Sequence, residues 1–237
     1  MELIRRHIGT ATIAFTNRWG GFSSPPFDAL NLADHVGDDV SVVMANRQAV
    51  GTELGVPDAP WVMPRHVHGA EVLIVEGGLP DDVEADGVAT NRPGLLLSAL
   101  GADCAPLAIA NDTASAALHA GWRGAANGVI GAGVAAVRRL GIGPIRAVVG
   151  PCVCAAHYEF GDALLADLVA RLGPEVAATT VDDTPAFDLR AAIRIAFARA
   201  EVDDVEILDV CTVESPDHYS YRRDGVTGRH GVVVIQG

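Results

Sequence analysis

The stretch from residue 101 to residue 129, GADCAPLAIANDTASAALHAGWRGAANGV, constrains the fold of this chain more than any other part of the sequence. It follows an apolar run at residues 95–100 and contains two further apolar runs, which an Asn-Asp pair separates. A helical pattern begins where the stretch ends, at residues 129–140. Short apolar runs bounded by Asn-Asp and glycine clusters are typical of buried strands. The stretch therefore predicts strand, turn, strand, turn and helix in succession.

Cys104 and His119 lie at the ends of neighbouring predicted strands in this stretch, fifteen residues apart. On adjacent strand ends a thiol and an imidazole can face one another, as in a metal site or a nucleophile–base pair. The same pattern also suits a buried cysteine that packs as a small hydrophobe and a histidine that bonds to the backbone. The stretch alone leaves these interpretations open.

The remaining chain alternates predicted strands and helices. Amphipathic spacing predicts helices in three segments, residues 41–54, 162–172 and 188–200. Strands are expected in four apolar segments, residues 61–64, 72–75, 145–149 and 205–210, and again in the last ten residues. Residues 77–94 form a polar acidic loop in this interpretation. Since no repeat or linker interrupts the order, we predict a single α/β domain over residues 1–237, a mixed sheet with flanking helices.

The composition excludes several classes of function. A net charge of −13 disfavours nucleic acid and anionic membrane surfaces as partners. All 17 basic residues are arginine, which excludes lysine Schiff-base chemistry and a Walker-type phosphate loop. Anionic ligands must then bind through arginine, backbone amides or a metal. The sequence has neither an apolar run of membrane-spanning length nor a signal-peptide pattern, so we expect a cytoplasmic location.

Three residues on separate segments share the chemistry of metal ligands. His68 precedes a turn at Gly69, and Cys104 and His119 come from the central stretch. Two nitrogen donors and one sulfur donor, with a fourth position left for water, are the pattern of a catalytic zinc site. Zinc lowers the pKa of a bound water to about 7. The set therefore predicts a metal-activated nucleophile at neutral pH.

Four blocks of sequence make the chain similar to a known family: TNRWGGFSSPPFDALNLADHVGDD, the HVHG turn, ADC…HAGWRG and YSYRRDGVTGR. On these blocks, which span nearly the whole chain, it resembles the bacterial YfiH-like proteins. That family was long labelled multicopper polyphenol oxidoreductases or laccases. It was later described as purine nucleoside phosphorylases with adenosine deaminase activity. The resemblance implies a YfiH-like α/β fold.

The resemblance also implies a site. It implies a zinc ion held by His68, Cys104 and His119, with purine nucleosides and phosphate bound nearby as small-molecule substrates. It further implies Arg18 and Asn31 as contributors to the substrate or phosphate site.

Two more residues become candidates from the chemistry that such reactions require. The C-terminal turn offers Arg222, Arg223 and Arg229 to hold phosphate in forked geometry, and Arg222 is our main candidate. Deamination requires a carboxylate that moves protons, and Asp103, which precedes Cys104, is the candidate. An equally valid interpretation is that Asp103 caps the turn.

The chain departs from the family pattern at several positions. His66 stands where the family usually has glutamine, and it is a candidate for a further contact to the metal site. Gly101 stands where the family usually has threonine. The Gly-Pro-Cys block continues with residues that take no role from the family, and Cys152, Cys154 and His157 are therefore left without an assigned function.

The number of histidines and the motifs of the chain also bear on other functions. A multicopper oxidase needs about ten histidines in repeated H-x-H motifs, whereas this chain has eight histidines and one such motif, so copper is expected only as an adventitious ion. The cytidine-deaminase signature is missing. The alternatives kept are a metal-independent Cys104–His119 hydrolase or deamidase, a peptidoglycan-editing factor, and a non-catalytic module that binds zinc or nucleosides. Metal content and turnover distinguish them.

Overall fold

The strands and helices follow the periodicity of the apolar residues. The structure is a computed structural model and describes residues 1–80 and 82–237. The strands are β1 Ile4–Ile8, β2 Ala11–Phe15, β3 Trp61–Val62, β4 Val72–Ile74, β5 Gly87–Thr90, β6 Leu96–Gly101, β7 Ala105–Ala110, β8 Ser115–Ala120, β9 Arg146–Val149, β10 Ala177–Thr179, β11 Pro185–Phe187, β12 Val205–Ile207 and β13 His230–Ile235. The α-helices are α1 Val40–Glu53, α2 Trp122–Asn127, α3 Val129–Leu140, α4 Asp162–Leu172, α5 Leu189–Arg199 and α6 Tyr221–Asp224.

Most of the strands belong to two sheets. The first sheet has the order β1-β2-β13-β6-β3, the second has the order β12-β9-β7-β8-β5-β4, and β10 pairs with β11 separately. Antiparallel pairing predominates, but β3 with β6, β4 with β5 and β9 with β12 are parallel. The predicted mixed α/β class is confirmed. The strands are divided between two sheets, however, where the sequence predicted one.

Successive side chains along each strand point to opposite faces of its sheet. The helices and sheets pack through these faces into four layers. In β7, Leu107 and Ile109 pack against α3 and α5, whereas Ala108 and Ala110 face the first sheet. The outer face of β6 packs in the same way against α1. The order of layers is therefore helix, sheet, sheet and helix. Small alanine side chains between the sheets allow them to approach closely.

The helices predicted at residues 41–54, 162–172 and 188–200 are confirmed as α1, α4 and α5. Asp188 caps α5, because its Oδ1 accepts a hydrogen bond of 2.9 Å from the backbone N–H of Ala191. The acidic segment at residues 77–94 was wrongly predicted to be only a loop, since it contains β5, which pairs with β8. Within residues 1–80 and 82–237, no helix combines the length and the apolar character needed to cross a bilayer.

Candidate active site

The three predicted metal ligands come together where strand ends and loops meet. Cys104 lies in the turn between β6 and β7, His119 lies near the end of β8, and His68 lies in the loop after β3. The register of β7 and β8 sets Pro106 opposite His119, which brings the preceding turn next to the imidazole. The sulfur of Cys104 and one nitrogen of each histidine lie within 4.8 Å of one another.

The buried carboxylate of Asp86 stabilises this arrangement. It was not among the site residues predicted from the sequence. Its Oδ1 accepts hydrogen bonds from Nδ1 of His119 at 2.8 Å and from the backbone N–H of His68 at 2.9 Å. Its Oδ2 accepts another from the N–H of Gly69 at 2.6 Å. Because the carboxylate engages Nδ1 of His119, the other ring nitrogen, Nε2, remains to bind a metal or to take a proton from a thiol.

The backbone around these side chains is shaped for close approach. His68 has a positive φ of 58°, a conformation uncommon for residues other than glycine, and the hydrogen bond from its N–H to Asp86 helps to stabilise it. A Cβ atom at Gly121 would lie 2.8 Å from the sulfur of Cys104 and 3.2 Å from Cδ2 of His68. A side chain at Gly121 would therefore displace the ligands. We refer to His68, Asp86, Cys104 and His119 as the donor cluster.

The donor cluster favours an ion pair between its thiol and its imidazole. Burial would raise the pKa of Cys104, but the charge of His119 and hydrogen bonds from both histidines lower it to about 6. Burial would lower the pKa of His119, but the Cys104 thiolate and Asp86 raise it to about 9. Burial would likewise raise the pKa of Asp86, but hydrogen bonds from His119 and Gly69 lower it to about 2. The thiolate, which binds metals and attacks electrophiles, is therefore the stable form at neutral pH.

His66 lies against the donor cluster. Its ring stacks on that of His119, with centroids 4.6 Å apart and planes 4° apart. Burial, and then the charge of His119, lower the pKa of His66 well below its usual range, so the ring is neutral. Its Nε2 is buried and has no hydrogen-bond partner among the residues that the structure describes. The structure therefore places His66 beside the predicted metal site without grouping it with the three ligands.

A cavity of about 690 Å³ opens onto the donor cluster and has the size of a small-molecule site. Three arginines line it, and each guanidinium lies over an aromatic ring of the same cavity. The distances from guanidinium carbon to ring centroid are 4.4 Å for Arg123 over Trp122, 4.9 Å for Arg222 over Tyr158 and 5.9 Å for Arg229 over Tyr221. We refer to these six residues as the arginine–aromatic set.

Besides the three predicted metal ligands, the predicted residues Asp103, Arg222 and Arg229 line this cavity. One oxygen of Asp103 accepts a hydrogen bond from the Thr212 hydroxyl, and the other accepts one from the backbone N–H of Arg222, both at 2.7 Å. Asp103 therefore anchors the start of α6. The guanidinium of Arg222 donates no hydrogen bond to any residue within the described part of the chain. It remains available to an anion.

Arg18 and Asn31 are not among the described residues that line the cavity. The Arg18 guanidinium donates from Nε to the carbonyl of Asp28 at 2.8 Å and pairs with the same residue's carboxylate at 3.2 Å. Asn31 is buried, and its amide nitrogen donates to Asp38 at 2.9 Å. Its Oδ1 accepts from the backbone N–H of Arg229, also at 2.9 Å. Asn31 therefore contributes to the cavity indirectly, because it positions the backbone of Arg229.

Neither Arg123 nor the aromatic rings of the cavity are predicted from the sequence. Arg123 lies in the second turn predicted for residues 101–129, and the structure shows this segment as the start of helix α2. A tryptophan directly before that arginine was the available signal, because guanidinium groups stack on aromatic faces.

Comparison with known proteins gives a consistent set of relatives. A family model described as multi-copper polyphenol oxidoreductase laccase matches residues 12–236. A purine nucleoside phosphorylase of Streptomyces coelicolor is 42% identical over 231 residues, which are 95% of each chain. The crystal structure of YlmD from Geobacillus stearothermophilus has a TM-score of 0.84 at 32% identity, over 96% of this chain and 92% of that one. A Bacillus licheniformis hypothetical protein, YfiH, has a TM-score of 0.85 at 29% identity, over 95% of this chain and 92% of that one.

Proposed function

The chain belongs to the multi-copper polyphenol oxidoreductase laccase family, and on that premise we propose that it is a zinc-dependent purine nucleoside phosphorylase that also deaminates adenosine. Relatives that are named purine nucleoside phosphorylases support an enzyme that uses nucleosides and phosphate. The observation that carries the proposal is the meeting of the donor cluster and the arginine–aromatic set in one cavity. We further propose that residues 1–237 act as a single domain in the cytoplasm, on inosine- and adenosine-type nucleosides.

The donor cluster suits zinc. Two imidazoles and a thiolate from His68, Cys104 and His119 are ligands that this ion prefers. Asp86 bonds to the ring nitrogen of His119 that faces away from the ligand position, as carboxylates commonly do behind metal-bound histidines. When bound there, zinc would supply Lewis-acid activation of water. The same donors also attract copper, and we propose copper only as an adventitious ion.

Phosphorolysis depends on holding phosphate against the ribose. We assign the phosphate to Arg222 and Arg123, whose guanidinium groups line the cavity. An oxygen of the phosphate attacks C1′ of the nucleoside, the bond from C1′ to N9 breaks, and its electron pair passes to the purine. The faces of Trp122 and Tyr158 offer stacking surfaces for that base. The arginines raise the rate mainly by fixing the direction of attack.

Deamination requires a group that moves a proton to the leaving nitrogen. Asp103 lines the cavity, and each of its carboxylate oxygens accepts one hydrogen bond from the protein, so each keeps a free lone pair. We assign proton transfer to this carboxylate. Water adds to C6 of adenosine, the amino group leaves as ammonia, and inosine remains. Inosine is then a substrate for phosphorolysis in the same cavity.

A metal-independent thiol enzyme, such as a deamidase or a peptidoglycan-editing hydrolase, is the second candidate. The observation that favours it is the series Asp86, His119 and Cys104, in which a carboxylate orients an imidazole beside a thiol of lowered pKa. Both candidates need Cys104 and His119. They differ over His68, which holds the metal in the first and only donates a hydrogen bond to the thiolate in the second.

Phosphate-dependent release of hypoxanthine from inosine tests the proposal. We expect chelation to abolish turnover, zinc to restore it, and His68→Ala to be inactive, while His7→Ala, an exposed histidine of β1, keeps full activity. The zinc-loaded protein should resist iodoacetamide at Cys104, because a metal-bound thiolate is shielded. Full activity without metal, lost on alkylation of Cys104 and retained in His68→Ala, would establish the thiol enzyme instead.

A further inference from the structure

We propose that Cys154, His157 and Glu214 form a second metal site, separate from the cavity, for one divalent ion of zinc-like chemistry. One ligand atom from each of the three residues lies within 4.8 Å of the other two. None of them is among the described residues that line the cavity of the active site. The proposed reaction does not use them, so the second site stands or fails independently of it.

Local backbone structure brings the first two ligands together. A turn of 3₁₀ helix at Ala155–His157 follows Cys154, and the N–H of His157 donates to the carbonyl of Cys154 at 3.1 Å. Residues three apart lie above one another in this type of helix. The resulting Cys-x-x-His spacing is within the range that zinc sites use for neighbouring ligands.

The distances between donors suit a tetrahedral ion. Zinc bonds of about 2.0–2.3 Å separate neighbouring donors by about 3.3–3.8 Å. Nε2 of His157 lies 2.9 Å from Oε1 of Glu214, and the sulfur of Cys154 lies 3.9 Å from the same oxygen. These values bracket the required separation. Because the Glu214 side chain is 59% exposed, it can rotate to admit an ion without disturbing the core.

The chemistry of the donors selects the type of ion. One sulfur, one nitrogen and one oxygen suit zinc and similar borderline metals, whereas calcium and magnesium prefer oxygen alone. Three protein ligands leave a fourth position for water. The sulfur of Cys211 accepts a hydrogen bond of 3.3 Å from the backbone N–H of Cys154. This bond stabilises the loop that carries Cys154 and His157.

An ion at this place would connect two segments that support the active site. The segment that contains Cys154 runs beside the segment that contains Glu214, through a β-bridge between Cys152 and Cys211. The second segment also carries Thr212, whose hydroxyl donates to Asp103 at the cavity. An ion bound by Cys154, His157 and Glu214 would therefore hold these two segments together.

Metal analysis of the purified full chain tests the second site. We expect two zinc ions per chain in the wild type and one in each of Cys154→Ser, His157→Gln and Glu214→Gln. The variant Cys104→Ala should also hold one, and the double variant Cys104→Ala, Cys154→Ser should hold none. Glu159→Gln, a change at an exposed carboxylate outside the group, should keep both.

Cobalt supplies a measurement that does not depend on activity. Added to zinc-free Cys104→Ala, Co²⁺ should give thiolate-to-metal absorption, and this band should be missing after the further change Cys154→Ser. A Cys104→Ala protein that holds no zinc, or a Cys154→Ser protein with undiminished zinc, overturns the second site. If Cys154→Ser does not fold, the surface variants at His157 and Glu214 decide the same question. Two bound ions without nucleoside turnover would reject the proposed function and leave the second site intact.

Discussion

In the donor cluster a single buried carboxylate bonds to two other segments of the chain, whereas in the arginine–aromatic set each guanidinium lies over an aromatic ring. Asp86 is fully buried, and it accepts hydrogen bonds from the ring of His119 and from the backbone of the loop around His68. Arg123 and Arg222 lie on the short helices α2 and α6, and both are exposed. One half of the site is held by charge and burial, and the other by stacking.

This difference separates two tasks. A buried, hydrogen-bonded charge is costly to disturb, so the donor cluster keeps its geometry before any ligand arrives. An exposed cation–π contact contributes only about 0.5–1 kcal/mol, so an arginine can leave its ring to follow an anion. We infer that the donor cluster determines the reaction and that the arginine–aromatic set determines which anion is captured.

The largest expected effect is that of removing the sulfur. Cys104→Ala should lower kcat/KM for inosine by more than about 10³-fold, because the group that holds the metal or attacks the substrate is lost. Steady-state kinetics measure this. Cys152→Ala, which removes another buried sulfur outside the cavity lining, is the control and should remain active. More than a tenth of wild-type activity in Cys104→Ala would place the chemistry elsewhere.

The next effect is on stability. Asp86→Asn should lower the free energy of unfolding by about 2–4 kcal/mol, since buried N–H donors lose their charged acceptor. Burial alone would raise the pKa of Asp86, yet hydrogen bonds from His119 and Gly69 lower it from 3.8 to about 2. The carboxylate thus stabilises the protein above pH 3.8, and this contribution is lost as the pH falls towards 2. Denaturant titrations of the metal-free wild type and of metal-free Asp86→Asn measure this. Their free energies of unfolding should converge as the pH falls from 3.8 towards 2.

The smallest of the three effects concerns the anion. Arg222→Lys should lower kcat/KM for phosphate by about 10–100-fold, corresponding to about 1.5–3 kcal/mol, because lysine cannot form the forked contact. Stability should change by less than about 0.5 kcal/mol. Arg92→Lys, at an exposed arginine outside the cavity lining, serves as the control. If Arg18→Lys loses as much and Arg222→Lys loses nothing, phosphate binds at Arg18, as the family resemblance implies.

Part of this site could be predicted from sequence because it depends on local structure. The turn between β6 and β7 and the register of β7 and β8 bring Cys104 close to His119, and both follow from apolar runs and turn residues. Asp86 could not be found in this way. Its contact with His119 depends on the pairing of β5 with β8, where Gly87 lies opposite Leu118, and the acidic residues around Asp86 predict a loop.

Arg18 shows a contact that the sequence does not reveal. The resemblance to the family implies a role for Arg18 in the substrate or phosphate site, and that role stays a prediction. The long loop that comes next returns Asp28 to the guanidinium, which then has an internal partner. Sequence spacing does not encode this return, because it results from the path of an irregular segment across the surface.

Strand β13 occupies the middle of the first sheet, between β2 and β6, although it comes from the far end of the sequence. Phe15 pairs with Val232, and Leu97 pairs with Val234. Pairings between such distant segments form slowly. During synthesis on the ribosome, β2 and β6 are made long before the strand that separates them. Their unpaired edges can meanwhile bind strands of other nascent chains. We therefore expect the interval before β13 emerges to be the stage at which the chain is most prone to aggregate.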